Sequence, residues 1–321
     1  MSSELPLLIV ILGPTASGKS TLALRVAPEL GGEIVNCDSM QMVRHLEIGT
    51  AKPSLEERHR VPHHLFDLVG PDEYFSAGTY MQEARRLCRE IAARGRTPLV
   101  VGGTGLYLRV LLEGIFSGPG RSEDVRRRLD RIVLRRGSPV LHRILARRDP
   151  LAAAAIEPGD RVRVVRALEV LLLTGRQMSR LQPEVRPLEG FRIVKVGLEV
   201  PRPELYGRIN LRVNRMFAGG LLEEVAHLLE LGYAPSAKAF EALGYRHAVA
   251  VVRGEMSLER AIELTQRDTR RYAKRQLTWF RREKNVRWLH VAGDDPSARE
   301  QFLSLLDEVR SADGVRTGHR S

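Results

Sequence analysis

Apolar positions along the chain follow two periods that replace one another. Leu7 to Leu12 is an unbroken apolar run, short and branched enough for a strand buried on both faces. Glu33-Ile34-Val35-Asn36, His63 to Val69 (ended by Pro71) and Thr97 to Val101 predict further strands, and Phe191 to Leu198 an alternating one. Between them the period becomes helical: Thr21 to Leu30, then Ser76 to Arg94, where Tyr80, Ala84, Leu87 and Ile91 share a face and Gly95 closes the helix. Strands alternating with helices predict an α/β fold, a P-loop NTPase-like parallel sheet flanked by helices.

A Gly/Pro/Ser junction from Gly114 to Arg121 marks a change of composition. From Glu123 to about Arg180 only helix-period positions remain (Leu129 and Val133; Leu141, Ile144 and Leu145; Val165, Leu168 and Leu172). The domains expected are an α/β core, 1–120 and 191–321, and a mostly helical insertion, 121–190. Pro203 to Leu231 predicts a helix interrupted at Gly219-Gly220, with Arg208, Arg212 and Arg215 on one face. Ala242 to His247 leads into a short helix, and Leu258 to Glu283 forms a long one. An amphipathic helix follows Asp294, and the polar tail after Ser311 is expected to be disordered. No internal repeat is visible.

The composition, 43% hydrophobic and 28% charged over 321 residues, is that of an ordinary globular chain. No apolar run approaches the ~20 residues of a membrane span, and no secretory signal precedes the first strand. Two cysteines, Cys37 and Cys88, make neither a disulfide framework nor a zinc set. A cytoplasmic monomer is the expectation. The net charge of +12 is uneven: residues 121–190 hold sixteen Arg against nine acids, and residues 260–290 hold ten Lys or Arg against three. Two basic blocks on a near-neutral body suit a polyanion; Arg stems packed on apolar surface explain one block adequately, but two such blocks beside a phosphate site favour nucleic acid.

The first strand runs into Gly13-Pro14-Thr15-Ala16-Ser17-Gly18-Lys19-Ser20, which fits the phosphate-binding pattern G-x-x-x-x-G-K-[ST]. Its glycines turn backbone N–H groups inward, and the helix after it points its positive end at the same spot. Lys19 adds a mobile charge and the Ser20 hydroxyl a ligand for Mg2+. Asp38 falls where the second strand ends, the edge that faces the ligand crevice in open α/β sheets. The strand at 97–101 ends in Gly102-Gly103-Thr104-Gly105, without the magnesium-holding Asp of many P-loop ATPases. The pair His63-His64 has no ligand partner at metal spacing and reads as loop histidines.

In order along the chain, Gly13 to Ser20, Asp38-Ser39-Met40-Gln41, Ile48-Gly49-Thr50-Ala51-Lys52-Pro53, Gly102 to Tyr107, Arg166-Ala167-Leu168-Glu169, Gly244-Tyr245-Arg246 and Lys274-Arg275-Gln276-Leu277-Thr278-Trp279 resemble the bacterial tRNA dimethylallyltransferases (tRNA isopentenyltransferases). The resemblance implies transfer of a dimethylallyl group from its diphosphate to N6 of adenine 37, beside the tRNA anticodon. It implies that the P-loop with Mg2+ on Ser20 holds the leaving diphosphate and that Asp38 is the general base. Thr104 and Arg212 would stand at the reacting centre, which the adenine enters by leaving its stack. The anticodon stem-loop of the tRNA would be gripped by Asp38, Ser39, Met40, Gln41 and Thr104, by Arg126, Arg163 and Arg166 in the insertion at 121–190, which the resemblance makes a tRNA-binding domain, and by Gly244, Tyr245, Arg246, Lys274, Arg275, Gln276, Trp279 and Arg281. The stretch before Arg166, Asp160-Arg161-Val162-Arg163-Val164-Val165, departs from the more polar family pattern, and no Cys/His finger follows the core. A small-molecule kinase and a non-catalytic RNA-binding P-loop protein remain the alternatives from the residues alone.

Overall fold

The apolar runs assemble into one sheet of six parallel strands: β1 (Leu7–Leu12), β2 (Gly32–Asn36), β3 (His63–His64), β4 (Thr97–Gly102), β5 (Arg192–Leu198) and β6 (Val286–Leu289), in the order β3-β2-β4-β1-β5-β6. The computed structural model describes residues 5–116, 118–137, 139–181 and 185–317. β1 is central, with Ile9 beside Leu99 on one side and Val194 on the other. Its residues Leu8 to Leu12 are essentially without solvent contact, which is why the run is apolar at every position and not at every second one. The chain leaves β1 towards neighbours on both sides, so the loop after it opens at the switch point of the strand order.

Contacts divide the chain into two compact units, Met1–Leu108 with Glu189–Ser321, and Arg109–Leu188. The first unit's early helices are α1 (Lys19–Val26), α2 (Leu55–Arg60), α3 (Ala77–Ala93) and α4 (Gly105–Leu112), the last of which carries the chain into the second unit. The second unit holds α5 (Glu123–Arg136), α6 (Pro139–Arg148), α7 (Pro150–Ala155), α8 (Arg161–Thr174) and α9 (Met178–Leu181). The chain then completes the first unit with α10 (Arg202–Ala218), α11 (Leu221–Glu230), α12 (Tyr245–Val252), α13 (Leu258–Phe280) and α14 (Ala298–Thr317). An insertion was expected over 121–190; the compact unit is bounded by Arg109 and Leu188.

Each unit has its own core. The second packs Leu129, Leu141, Leu145, Val165 and Leu168 at its centre; of the other positions that carry the helical period, Val133 and Ile144 pack against it partly buried, and Leu172 is exposed. In the first, α1 and α14 cover the sheet through Leu22, Val26 and Phe302. A further core joins α10 to α13 through Ile209, Val213, Val225 and Tyr245. Among the described residues no helix is long and apolar enough to cross a membrane.

Three elements differ from expectation. The strand expected over 63–69 stops at His64, because Leu65 (φ 65°) and Asp67 (φ 57°) take left-handed backbone conformations that leave the extended region. β6 was not expected; with Val286, Trp288 and Leu289 apolar, its four residues are too few to show a period. The tail after Ser311 continues as helix α14 to Thr317, and residues 318–321 lie outside the described residues.

Candidate active site

The loop from Gly13 to Ser20 joins β1 to α1, and its shape is set by two left-handed residues, Ala16 (φ 64°) and Gly18 (φ 82°). Gly18 must also lack a side chain, since a Cβ there would lie 2.7 Å from the Gly293 nitrogen. Three contacts from distant parts of the chain hold the loop. The Thr15 N–H donates to the Gln276 side-chain carbonyl at 2.9 Å, Arg208 Nε donates to the Ala16 carbonyl at 2.9 Å, and the Gly293 N–H donates to the Ser17 carbonyl at 2.8 Å. Arg208 is itself fixed by an ion pair with Asp294. A cleft of about 680 Å³ opens beside the loop, lined by Gly18, Lys19, Ser20, Lys52, Arg208 and Arg212, with Ile48, Leu211 and Met216 as apolar walls. Cationic side chains around a helix N-terminus make this cleft suited to a polyphosphate.

Asp38 stands just beyond the end of β2. Its N–H donates to the Asn36 side chain at 2.9 Å, and its own Oδ1 accepts the Met40 N–H at 3.0 Å, so the turn is fixed by its own side chains. The end of β4 folds against this turn. A Cβ on Gly102 would lie 2.1 Å from the Cys37 carbonyl oxygen, so only glycine allows the approach. Thr104 then donates its N–H to the Cys37 carbonyl at 3.1 Å, and its hydroxyl accepts the Ser39 N–H at 3.1 Å. Gln276 ties this second loop to the first by donating to the Gly103 carbonyl at 2.8 Å.

Lys19 connects the cleft to Asp38. Burial pulls its ammonium down to about 8, the Asp38 charge opposes that fall, and the Arg212 charge adds to it. Burial likewise lowers Arg212 from its ordinary value, and Asp38 again opposes the fall. Lys19, Asp38 and Arg212 therefore share one electrostatic neighbourhood. The neighbouring Cys37 is no competitor as a nucleophile, because burial pushes its thiol up to about 12. Burial also raises the Tyr272 hydroxyl, with the Asp38 charge adding to the effect, so α13 reaches the same centre.

The segment Ile48 to Pro53 lines the cleft as a braced loop. Lys52 has no exposed side-chain surface and donates to the Val43 carbonyl at 2.9 Å, to Glu47 at 2.7 Å and to Asp67 at 2.6 Å. Arg212 donates to the Thr50 carbonyl at 3.2 Å, and Gln41 donates to the same carbonyl at 3.1 Å. Lys52, Arg208 and Asp294 were missed as site residues. Lys52 lay in view within a recognised motif, but nothing local announces its burial; Asp294 is drawn in only by the path of the chain after β6.

The residues expected at the tRNA separate into three groups. Asp38, Ser39, Met40, Gln41, Thr104 and Trp279 are half-buried around the centre, where the Trp279 ring lies against Gly105. Arg246, Lys274, Arg275 and Arg281 are exposed on or just after α12 and α13. Arg246, with His247, Arg267 and Arg271, surrounds the half-sunk carboxylate of Asp268, along a cleft of about 440 Å³ that Gly244 and Arg275 also line. Tyr245 and Gln276 must be reassigned. Tyr245 is fully buried; its hydroxyl donates to Glu224 at 2.5 Å and accepts the Gly49 N–H at 3.1 Å, so it props the loop at 48–53 instead of facing RNA. Gln276 is buried as the pin between the two loops.

Within the second unit, Arg163 is exposed beside Asp160, whereas Arg126 and Arg166 converge on Glu169, whose side chain has no exposed surface. Burial alone would raise this carboxyl, but hydrogen bonds from Arg126, the Ser122 N–H and Arg166 hold it at about 2. Both arginines thus have a structural task, whatever else they touch.

The profile of the family described as IPP transferase matches residues 41–283. The chain belongs to that family. A second profile, described as isopentenyl transferase, matches residues 6–63. The chain is 52% identical over 302 residues to a protein of Koribacter versatilis (strain Ellin345) named tRNA dimethylallyltransferase, covering 94% of this chain and 98% of the relative. The protein of the same name from Geobacter sulfurreducens is 52% identical over 283 residues, 88% of this chain and 91% of its own. Among solved structures, the full-length tRNA isopentenylpyrophosphate transferase of Bacillus halodurans matches with 38% identity and a TM-score of 0.70, covering 98% of this chain and 99% of that one. A eukaryotic dimethylallyltransferase captured acting on tRNA matches with 28% identity and a TM-score of 0.79, covering 96% of this chain and 80% of that one. The chain is a prenyl-transferring enzyme with a P-loop NTPase-like sheet.

Proposed function

We propose that this enzyme transfers a dimethylallyl group from dimethylallyl diphosphate to N6 of adenine 37 in tRNA, giving N6-(dimethylallyl)adenosine and diphosphate. The N6 lone pair forms the bond to C1 of the dimethylallyl group, the C1–O bond breaks, and its electron pair leaves with the diphosphate. The proton lost from N6 passes to Asp38. The observation that carries this reading is the shared neighbourhood of Lys19, in the loop after β1, and Asp38, just beyond β2, which supports pairing a cation for the diphosphate with a carboxylate for the proton. The relatives' names supply the substrates this chemistry fits.

In this reading the cleft beside the P-loop takes the diphosphate. Lys19, Arg212 and the loop N–H groups stabilise the charge that grows on the leaving oxygen. Ile48, Leu211 and Met216 offer apolar surface to the prenyl chain. Thr104 holds the Ser39 turn in register with Asp38 and so positions the base.

Mg2+ fits the donor set. Among the described residues no group of three or more His, Cys, Asp or Glu could form a protein cage, and the protein offers the exposed Ser20 hydroxyl at the mouth of the cleft. A small hard cation that keeps several waters and takes phosphate oxygens suits a site of this kind. When bound, Mg2+ would neutralise the charge of the diphosphate.

Unmodified tRNA incubated with labelled dimethylallyl diphosphate, with and without Mg2+, tests the assignment. Label recovered on N6 of adenine 37, dependent on both RNA and Mg2+, is the expected outcome. Label that stays on small molecules contradicts it.

A further inference from the structure

One wall of the diphosphate cleft hangs from an acid that does not line the cleft. Glu224 stands in the first turn of α11, half-buried. Its Oε2 accepts the N–H groups of Glu47 at 3.1 Å and Ile48 at 2.9 Å, residues 177 and 176 positions away along the chain. Its Oε1 accepts the Tyr245 hydroxyl at 2.5 Å, and the oxygen of that hydroxyl accepts the Gly49 N–H at 3.1 Å. Three successive amides therefore end on one carboxylate, two directly and one through Tyr245. A carboxylate suits this task, since it accepts several hydrogen bonds and donates none.

The fit around Tyr245 is close. The ring has no solvent contact, and a Cβ on Gly49 would lie 2.2 Å from it, so only glycine lets the backbone approach. An acid in the first turn of a helix is ordinarily accounted for by the helix dipole. Here both oxygens are committed to the loop and to the tyrosine that carries it.

What these amides hold is the side of the cleft. The Ala51 N–H donates to the Ile48 carbonyl and the Lys52 N–H to the Glu47 carbonyl, both at 3.1 Å, so residues 47 to 52 form a closed turn. Ile48, Ala51 and Lys52 of that turn line the cleft. Its Thr50 carbonyl accepts from Arg212 at 3.2 Å. Displacing the amides at 47–49 would move the apolar wall and the acceptor that orients Arg212 together.

We propose that Glu224 is a positioning residue for the prenyl diphosphate. Through Tyr245 and the amides of 47–49 it sets Ile48 against the prenyl chain and holds Arg212 towards the diphosphate. This rests on the reading of the cleft as the diphosphate site.

The test uses the full chain with each substrate varied in turn. Glu224→Ala removes every acceptor, and KM for dimethylallyl diphosphate should rise by about tenfold or more. The dissociation constant for tRNA should stay near wild type, and kcat with both substrates saturating should change by only a few-fold. Tyr245→Phe deletes the hydroxyl alone and should give a smaller shift of the same kind. Because the two side chains act in series, the double variant should resemble Glu224→Ala and not the product of both effects. Glu224→Gln keeps an oxygen for the amides of 47 and 48 and should recover part of the loss. If Glu224→Ala folds poorly, Tyr245→Phe and Glu224→Gln carry the same test.

Folded variants that keep KM for dimethylallyl diphosphate within about twofold of wild type overturn the proposal, even if their thermal midpoint falls. A weakening confined to tRNA also overturns it. Calorimetric binding of diphosphate with Mg2+ to the tRNA-free chain separates this failure from that of the active-site reading. A wild type that transfers no label to tRNA refutes the active-site reading, and weaker diphosphate binding by Glu224→Ala then still supports the positioning role. Equal diphosphate binding and equal KM in a chain that does transfer label refute the positioning role alone.

Discussion

Gln276 lies 261 residues beyond Thr15 in sequence, yet its side-chain carbonyl accepts the Thr15 N–H at 2.9 Å. The other end of the same amide donates to the Gly103 carbonyl at 2.8 Å, so one side chain from α13 locks the phosphate loop to the loop that carries Thr104. Removing it by Gln276→Leu leaves the buried Gly103 carbonyl and the partly buried Thr15 N–H without that partner, at roughly 1–3 kcal/mol for the buried group and less for the other. If that loss falls on the loop, KM for dimethylallyl diphosphate should rise by about tenfold or more. Affinity for tRNA should stay near wild type, because Gln276 does not face solvent. Steady-state kinetics with each substrate varied in turn distinguishes this from direct RNA contact, which would weaken tRNA binding first.

Lys19 provides a pH signature. Burial depresses its ammonium to about 8 in the free enzyme, so it is charged below that value and neutral above it. A cation favours the diphosphate, hence kcat/KM for dimethylallyl diphosphate should hold near neutral pH and fall as pH rises through about 8. The inhibition constant of diphosphate should weaken over the same range. Lys19→Arg, whose guanidinium stays charged, should remove that fall from the diphosphate inhibition profile. A wild-type profile that stays flat to pH 9.5 (roughly a unit and a half beyond the ionisation) contradicts the assignment.

Arg126 should prove costly to remove for a reason unrelated to RNA. Arg126→Ala leaves the Glu169 carboxylate buried with only Arg166 and the Ser122 N–H to engage it, a loss of about 1–3 kcal/mol. Combining Arg126→Met with Glu169→Leu should recover much of it. Because the Glu169 carboxyl is held at about 2, below its ordinary 4.5, its contribution to stability is present above 4.5 and is lost as pH falls towards 2. Glu169→Gln should flatten that acid limb. Urea unfolding at pH 7 and across the acid range measures both effects.

Much of the candidate site was legible because it lies in contiguous motifs. The phosphate loop announces itself by spacing, and Asp38 by its place at a strand end. What the sequence concealed is what long-range folding contributes. Nothing near Tyr245 says that its hydroxyl will brace Gly49, and nothing near Gln276 says that its amide will span two loops. Both sit inside motifs associated with RNA, so association placed them at the surface when their task is internal. Charge density misleads in the same way: Arg126 and Arg166 add to a basic block, yet a single buried glutamate engages both. β3 fails locally too, since left-handed turns at Leu65 and Asp67 override a strand-like apolar run.

The central claim is that Asp38 removes the N6 proton while the P-loop holds the diphosphate, and Asp38→Asn tests it most directly. Asparagine keeps the size of the side chain and an oxygen to accept the Met40 N–H, so the turn at 38–40 should survive. Single-turnover transfer of labelled dimethylallyl to tRNA should slow by about 10²–10⁴. The dissociation constant for tRNA, measured on the same preparation, should stay within a few-fold of wild type. A variant that keeps more than half of the wild-type transfer rate at neutral pH contradicts the account, because the proton must then leave by another route.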